Sequence, residues 1–370
     1  MVNLPANNRT QLYDTHTALK ARILEFGGWD MPIQYSGILA ETEAVRTRTG
    51  IFDVSHMGRV YISGLDATAL VNALVSSPIL NMDILQARYG LMCTGNAGII
   101  DDLILYKISE DNYLLIPNAG NREFVLQWIH STNEQLFSNS VTITDKTLET
   151  TMLAIQGPMS ESLLQPLITL TSVDNLSDIR FFRASHGNIM GSTVFIGRTG
   201  YTGEDGFEII TDNANAKQTW DTLVNAGAEP CGLGARDVLR LEAALPLYGH
   251  ELNINTSPIE AGLQRFVKKK TSFIGSQIIH QQLEHGTTKT LIGVTVAGKS
   301  APRQGYPIMQ RGTQIGEITS GSFSPSLGIS IALGYVSTVQ YKEGAELELD
   351  IRGRIIPASL ASTPFYKRGN

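Results

Sequence analysis

The sequence predicts an α+β protein that ends in a small antiparallel β-barrel or jelly roll. Helix-like and strand-like segments occur throughout the first three quarters of the chain, but they do not alternate strictly, which argues against a doubly wound parallel sheet. After Gly275 the pattern changes to short alternating strands with Gly and Pro turns, which is typical of a barrel. A chain of 370 residues can also hold two or three domains. We therefore place a domain boundary near residues 275–285.

Helical periodicity and capping residues predict the helices, and alternating or continuous apolar runs predict the strands. The predicted helices span residues 37–49, 66–75, 123–129, 216–224, 235–245 and 277–283. The predicted strands span residues 89–93, 99–106, 113–116, 152–155, 194–196 and 207–210, followed by 291–296, 314–319, 331–336 and 347–351 in the barrel. A hairpin turn is expected at residues 109–112.

Composition excludes several classes of function. Hydrophobic residues make up 42% of the chain and charged residues 17%, which predicts a folded protein. The net charge of −6 argues against a nucleic-acid surface. The two cysteines, Cys93 and Cys231, lie among apolar residues and are interpreted as core thiols. No apolar run is long enough to span a membrane, and no signal or transit peptide is recognised. We expect a cytoplasmic protein of bacterial type.

One motif suggests a nucleotide site that the surrounding residues do not support. Gly293, Gly298, Lys299 and Ser300 have the spacing of a phosphate-binding loop. The residues between the two glycines are typical of a strand, and prolines follow where such a loop would open a helix. We interpret this segment as a strand that enters a turn.

Two adjacent acids, Asp101 and Asp102, lie in an apolar strand after the turn at residues 95–98. Neighbouring strand residues point to opposite faces, and burying a carboxylate is unfavourable unless it is compensated. In one interpretation both acids are at the mouth of a hairpin. In the other, one carboxylate is held in a cavity for catalysis. The residues alone do not decide between them.

A glycine-rich loop leads into a strand at residues 198–209, where Glu208 lies between Phe207 and Ile209. Strand alternation places Glu208 on the face opposite these neighbours. It is either an outward, solvated residue or a carboxylate that accepts two N–H bonds from a planar edge such as that of a pterin.

Residues 232–243 predict the start of a helix that carries Arg236 in its first turns. An arginine there opposes the helix dipole, which suggests an anionic partner from outside the helix. The alternative is a set of surface ion pairs. Gly232 and Gly234 precede the helix, but the third glycine of a dinucleotide motif is missing.

These segments together resemble the glycine cleavage T-protein family, an aminomethyltransferase family. The resemblance extends from Leu12 to Tyr366 and is carried by residues 12–16, 27–32, 53–58, 98–103, 198–209, 232–243, 301–307 and 318–327.

The resemblance implies three domains in a ring around a central cavity that holds tetrahydrofolate. We expect the first domain to comprise residues 1–50 and about 140–230, and the second residues 51–139 and about 231–275. Residues 276–370 would form the barrel. The implied reaction transfers the methylene carbon of an aminomethyl group on lipoylated H-protein to tetrahydrofolate. It yields 5,10-methylenetetrahydrofolate, ammonia and dihydrolipoyl H-protein, and no metal is expected.

The resemblance also assigns the site residues. Asp101 matches the catalytic aspartate, which would orient the folate and manage proton transfer. Glu208 matches the acid that binds the pterin edge, and Arg236 matches an arginine of the folate site.

Four further residues match folate-binding segments of the family. Met57, Tyr89 and Asn118 would line the cavity, and Tyr366 would be the C-terminal aromatic near the ligand. The chain departs from the family at residues 263–266, Leu-Gln-Arg-Phe, where members often carry a tryptophan or a similar aromatic.

Two related functions are alternatives. One is a folate-binding paralogue that assists iron–sulfur assembly, but neither cysteine lies in the Lys-Gly-Cys-Tyr motif of those proteins. The other is transfer from a different methyl or methylene donor, as in folate domains that follow a large flavin domain. Turnover with lipoylated H-protein would separate the three, whereas folate binding would not.

Overall fold

The computed structural model describes residues 7–269, 272–342, 344 and 346–369. The chain divides into two compact units, which we call the first and second units. The first unit comprises Met1–Leu70, Asn81–Arg88 and Ile104–Asp237. The second comprises Val71–Leu80, Tyr89–Leu103 and Val238–Asn370. The three-domain division with the bounds given above stays a prediction.

The helices and strands follow one another in mixed order, as expected for an α+β fold. The α-helices are α1 Tyr13–Ala18, α2 Ile38–Thr47, α3 Ala67–Leu74, α4 Arg122–Phe137, α5 Ser160–Leu164, α6 Ala216–Asn225, α7 Leu233–Glu242 and α8 Ser276–His285. The strands up to the middle of the chain are β1 Asn8–Arg9, β2 Arg22–Phe26, β3 Trp29–Gln34, β4 Gly50–Asp53, β5 Val60–Ser63, β6 Ala87–Cys93, β7 Ile99–Ser109, β8 Asn112–Ile116, β9 Thr142–Asp145 and β10 Thr150–Gln156. The remaining strands are β11 Ile168–Leu170, β12 Ala184–Ile189, β13 Ser192–Gly197, β14 Gly206–Asp212, β15 Glu229–Pro230, β16 Lys289–Val296, β17 Pro307–Gln310, β18 Thr313–Ser324, β19 Ile329–Ser337, β20 Leu347–Ile351 and β21 Arg354–Ala361.

The first unit is built around a seven-stranded sheet with the order β11-β12-β13-β14-β10-β4-β15. Strand β14 is antiparallel to both of its neighbours, β10 and β13. The core on one face of this sheet is apolar and includes Phe207, Ile209 and Trp220. A small sheet, β1-β3-β2, belongs to the same unit. The central strands of the large sheet are therefore fixed from both sides, which suits them to hold functional side chains.

The second unit contains a closed barrel with the order β16-β19-β18-β17-β20-β21. Its interior is aliphatic and includes Ile308, Val336 and Leu349. Strand β16 contains Gly293 and ends at Val296, and Gly298 and Lys299 lie in the bend that follows, so the interpretation of this segment as a strand that enters a turn is confirmed. No helix among the described residues is long and apolar enough to cross a membrane.

Most predicted elements are present, and the largest difference lies in α4. The sequence predicts a helix over residues 123–129, whereas α4 continues to Phe137. Its buried side continues through Thr132 and Asn133, and the Asn133 amide donates to the Val141 carbonyl at 2.8 Å. Hydrophobic periodicity does not detect a helix face whose buried positions are polar. Both cysteines are free and buried, as predicted.

Candidate functional site

Glu208 lies in the middle of β14, opposite Ala154 on β10 and Gly197 on β13. Its neighbours Phe207 and Ile209 are in the apolar core of the first unit. Glu208 lies on the other face, yet only 9% of its surface is exposed. The interpretation of Glu208 as an outward, solvated residue is therefore wrong, because this face of the sheet is covered as well.

One carboxylate oxygen of Glu208 is held and the other is open. The Thr199 hydroxyl donates to Oε2 at 2.6 Å, and the Tyr106 hydroxyl lies 2.8 Å from Thr199 Oγ1. Among the described residues, no group donates to Oε1, and that atom is not sealed from solvent. A ligand with N–H donors would find a free acceptor here.

Helix α7 begins very close to strand β3, and this approach positions Arg236. A Cβ atom at Gly232 would collide with the backbone of Ile33, so only glycine fits. The Gly232 amide also donates to Glu41 Oε2 at 2.8 Å. The two glycines before Arg236 therefore serve close packing of the helix on a strand. This packing requirement explains why the two glycines resemble part of a dinucleotide-binding motif.

The Arg236 guanidinium lies over the Tyr201 ring, with its central carbon 4.9 Å from the ring centroid. Burial lowers its pKa from the ordinary value, and the negative charge of Glu208 opposes that shift. Among the described residues, no ion pair joins Arg236 to Glu208, and Arg236 Nη1 is buried without a hydrogen-bond partner. An unpaired buried donor is costly, so this atom is suited to an acceptor that a ligand would bring.

His56 is a third open polar group in the first unit, and it was not predicted as a site residue. Only 2% of its surface is exposed, and its Nδ1 has no partner in the described part of the chain. Its ring meets Phe26 edge-on at 5.7 Å. Burial lowers its pKa to about 3, and the positive charge of Arg236 contributes to the shift. The imidazole is therefore neutral near pH 7.

The segments that carry Met57 and Asn118 meet in the first unit. The Gly58 amide donates to the Pro117 carbonyl at 2.8 Å. Arg59 is fully buried and donates to the Ser55 carbonyl at 2.8 Å and to the Thr150 carbonyl at 2.7 Å. Hydrogen bonds from Gly58 and Arg59 therefore hold the loop that contains His56 and Met57 in place.

The second unit contains the acidic pair. Asp101 has no exposed surface, and Asp102 is 8% exposed. The Tyr89 hydroxyl donates to Asp102 Oδ2 at 3.0 Å. Both acids follow the hairpin turn between β6 and β7, as the sequence predicts, and both are buried there. The start of their strand is fixed where the Ile99 amide donates to the Thr256 carbonyl at 2.9 Å.

Phe266 provides the aromatic ring at the position where the sequence departs from the family. It packs edge-on against Tyr89, with 4.5 Å between the ring centroids, and the Arg265 guanidinium lies 4.6 Å from its centroid. Its carbonyl accepts a hydrogen bond from Ser76 Oγ at 2.9 Å. The segment thus keeps an aromatic contact to Tyr89 although it lacks a tryptophan.

Tyr366 is tied to the end of α7. Its amide donates to the Glu242 carbonyl at 2.8 Å, and the ring is partly buried. The Glu242 side chain is fully buried and accepts from Ser324 Oγ at 2.5 Å and Ser326 Oγ at 2.9 Å. The motif at residues 318–327 thus has a structural role, which is to hold α7 and, through it, the C-terminal aromatic.

Comparisons with known proteins agree with this geometry. Residues 12–271 match the family profile described as GCVT N-terminal domain. Residues 289–367 match the profile described as Glycine cleavage T-protein C-terminal barrel domain. The chain belongs to the glycine cleavage T-protein family. The predicted α+β fold with a C-terminal antiparallel barrel is confirmed.

Relatives cover almost the whole chain. An aminomethyltransferase of Symbiobacterium thermophilum is 42% identical over 366 residues, which is 97% of each chain. An aminomethyltransferase of Moorella thermoacetica is 44% identical and covers 97% of this chain and 98% of its own. The crystal structure of glycine cleavage system aminomethyltransferase T from Bartonella henselae has a TM-score of 0.89, 32% identity and 98% coverage of both chains. The chain is an aminomethyltransferase of the glycine cleavage system, and its family uses tetrahydrofolate.

Within the first unit, the structure brings Glu208, Arg236 and His56 into one electrostatically connected group. Thr199 and Tyr106 belong to the same group, and neither was predicted as a site residue. Thr199 lies in the glycine-rich motif, which was the only hint in the sequence. Tyr106 is distant from Thr199 in the sequence, and in the apolar strand β7 it resembles an ordinary core residue.

Proposed function

We propose that this aminomethyltransferase moves the methylene carbon of an S-aminomethyl group on lipoylated H-protein to tetrahydrofolate. Two folate N–H bonds are replaced by bonds to this carbon. Its bonds to nitrogen and sulfur break, and the two protons leave with ammonia and the dihydrolipoyl thiol. Such a reaction needs a placed nucleophile, a dry site and control of protons.

The observation that carries the proposal is the pair of open polar groups in the first unit. Glu208 Oε1 is a free acceptor and Arg236 Nη1 is a free buried donor. Neither atom is hydrogen-bonded to the other or to any other described residue. A pterin has N–H donors on one edge, and the remainder of a folate offers carbonyl and carboxylate acceptors. We propose that Glu208 binds the pterin edge and that Arg236 binds an acceptor of the folate, with its position set by Tyr201.

Asp101 is the proposed catalytic residue. It is fully buried on β7, so its carboxylate would exchange protons with substrate rather than with bulk water. We propose that it orients the folate and manages the proton while a folate nitrogen attacks the methylene carbon. Met57, Asn118, Tyr89 and Tyr366 are proposed to line the folate site.

The partner and the compartment are also proposals. H-protein is proposed as the donor because the family acts within the glycine cleavage system. A bacterial-type cytoplasm is proposed because the relatives named above are bacterial. No metal is proposed to take part.

The first test is formation of 5,10-methylenetetrahydrofolate from aminomethylated H-protein by wild type, Asp101→Asn and Asp102→Asn. We expect Asp101→Asn to lower kcat by about two decades or more, with folate binding retained. Asp102→Asn is the matched control on the same strand, because an amide oxygen can still accept the Tyr89 hydroxyl.

Each other outcome has a defined meaning. If wild type binds folate but never turns over, the chain is a folate-binding paralogue and the proposal fails. If turnover is insensitive to Asp101→Asn, the reaction stands and the catalytic assignment fails.

A further inference from the structure

Tyr106, Thr199 and Glu208 form a buried chain of hydrogen bonds in the first unit. Tyr106 Oη lies 2.8 Å from Thr199 Oγ1, which lies 2.6 Å from Glu208 Oε2. Tyr106 and Thr199 are each only 2% exposed. We call this arrangement the hydroxyl relay.

The direction of the relay follows from the chemistry of its members. An ionised carboxylate only accepts hydrogen bonds, so Thr199 donates its single hydroxyl proton to the hydrogen bond with Glu208. Thr199 must then accept from Tyr106, whose phenol is the donor at the far end. Burial and the charge of Glu208 both raise the pKa of Tyr106, which keeps that proton in place. The relay therefore presents Glu208 as an acceptor whose Oε2 is pinned and whose Oε1 is open.

The surrounding backbone is shaped to fit the relay. Gly197 lies opposite Glu208 in the sheet, and a Cβ atom there would collide with the Tyr106 hydroxyl. The ring of Tyr106 meets Phe195 edge-on at 5.0 Å. The Gln156 amide donates to the Thr199 carbonyl at 3.1 Å and accepts from Thr202 Oγ1 at 2.9 Å. Packing against the Tyr106 ring and the hydrogen bond to the Thr199 carbonyl therefore restrict where the two hydroxyls can lie.

We propose that Thr199 and Tyr106 are positioning residues that set the orientation of Glu208 for recognition of N–H donors on the ligand. The inference rests on the proposed function, in which that ligand is tetrahydrofolate. It adds a specificity device: a carboxylate pinned as an acceptor selects a ring edge with N–H groups and rejects one with carbonyls. The relay acts on binding, not on the chemical step, so it should change the Kd and KM for folate and leave kcat intact.

The test compares Thr199→Val with Thr211→Val by calorimetric titration of the full-length protein with tetrahydrofolate. Val replaces Thr with nearly the same shape but cannot donate to Glu208. We expect the Kd to rise about tenfold. Thr211 is the matched control because it is buried on β14 and donates to the Thr193 carbonyl at 3.0 Å, outside the relay. Thr199→Ser keeps the hydroxyl and should restore the affinity.

A second pair of variants tests the contribution of Tyr106, at the other end of the hydroxyl relay. Tyr106→Phe should raise the Kd about threefold, because Thr199 can still donate but is no longer restrained. Tyr113→Phe is its control, since Tyr113 is buried and its hydroxyl pairs with Thr68 Oγ1 at 2.9 Å, with no carboxylate in the pair. In a Glu208→Gln background, Thr199→Val and Tyr106→Phe should have no further effect on the Kd.

The outcomes separate the relay from the function beneath it. If wild type binds tetrahydrofolate and Thr199→Val binds it equally well, the relay inference is overturned alone. If Thr199→Val and Thr211→Val lose affinity and stability equally, the hydroxyls are structural and the inference is again overturned. Wild type that does not bind tetrahydrofolate would overturn both proposals. Should Thr199→Val fail to fold, Tyr106→Phe against Tyr113→Phe decides the question.

Discussion

Arg236 and Arg240 lie one turn apart on α7, yet they meet opposite conditions. Arg240 Nη1 donates to Glu251 Oε2 at 2.9 Å and Nη2 donates to Ser320 Oγ at 2.7 Å. Both members of the Arg240–Glu251 ion pair are essentially fully buried. Arg236 instead keeps Nη1 buried and unpaired, in a part of the first unit where Glu208 Oε1 is also open. The paired charge of Arg240 contributes to the fold, whereas the unpaired donor of Arg236 is consistent with the folate-binding role proposed for it.

The largest expected effect is on Arg240. Arg240→Met should lower the free energy of unfolding by about 3–5 kcal/mol, because Glu251 would remain buried without its counter-charge. Urea denaturation of wild type and variant measures the difference. The double variant with Glu251→Gln should recover part of the loss. A loss below about 1 kcal/mol would mean that water enters and replaces the arginine, and the contrast with Arg236 would be gone.

A second, smaller effect concerns His56, which is open like Arg236. Its pKa of about 3 lies below the value of about 6.5 in the unfolded chain, so the unfolded chain binds a proton first as the pH falls. The stability associated with neutral His56 is complete above pH 6.5 and declines toward pH 3, by up to about 1.4 kcal/mol per pH unit.

His56→Phe should therefore flatten the decline of stability between pH 6.5 and pH 5. Urea denaturation at pH 7.5, 6 and 5 measures this slope, and His285→Gln, at an exposed position, is the control. Equal slopes in wild type and His56→Phe would show that the folded state lets this imidazole take up a proton.

We expect the smallest change in the free energy of unfolding when Arg236 is replaced. Arg236→Met should alter the free energy of unfolding by less than about 1 kcal/mol, because it removes a buried donor that has no partner. The same variant should weaken tetrahydrofolate binding about tenfold or more, with Arg236→Lys as the control that keeps the charge. Loss of stability comparable to that of Arg240→Met would erase the distinction between the two arginines.

The sequence predicted helices and strands better than it predicted the burial of the side chains that they carry. Strand alternation placed Glu208 opposite Phe207 and Ile209 correctly, but it could not tell that both faces of β14 are covered. The same limit applies to Asp101 and Asp102, which are both buried. Burial depends on what packs above a strand, and that comes from distant parts of the chain.

The relay and the open histidine show where sequence reasoning stops. Tyr106 reaches Thr199 across 93 residues of chain, and no local pattern indicates such a contact. His56 has a partnerless nitrogen only because of the way its loop folds. The family resemblance identified Glu208 and Arg236 as binding residues, and that assignment stays a prediction until the variants are measured.

Closure of the barrel has a consequence for how the protein behaves at high concentration. The six strands β16 to β21 pair around a full circle, so they offer no free edge on which another chain could add a strand. Strand β2 is different, since it ends its three-stranded sheet and exposes Leu24 and Phe26. The charged residues Arg22 and Glu25 interrupt that apolar edge and discourage edge-to-edge aggregation. The exposed Leu24 makes β2 a site where two copies could associate at high concentration, and Leu24→Lys should reduce that association.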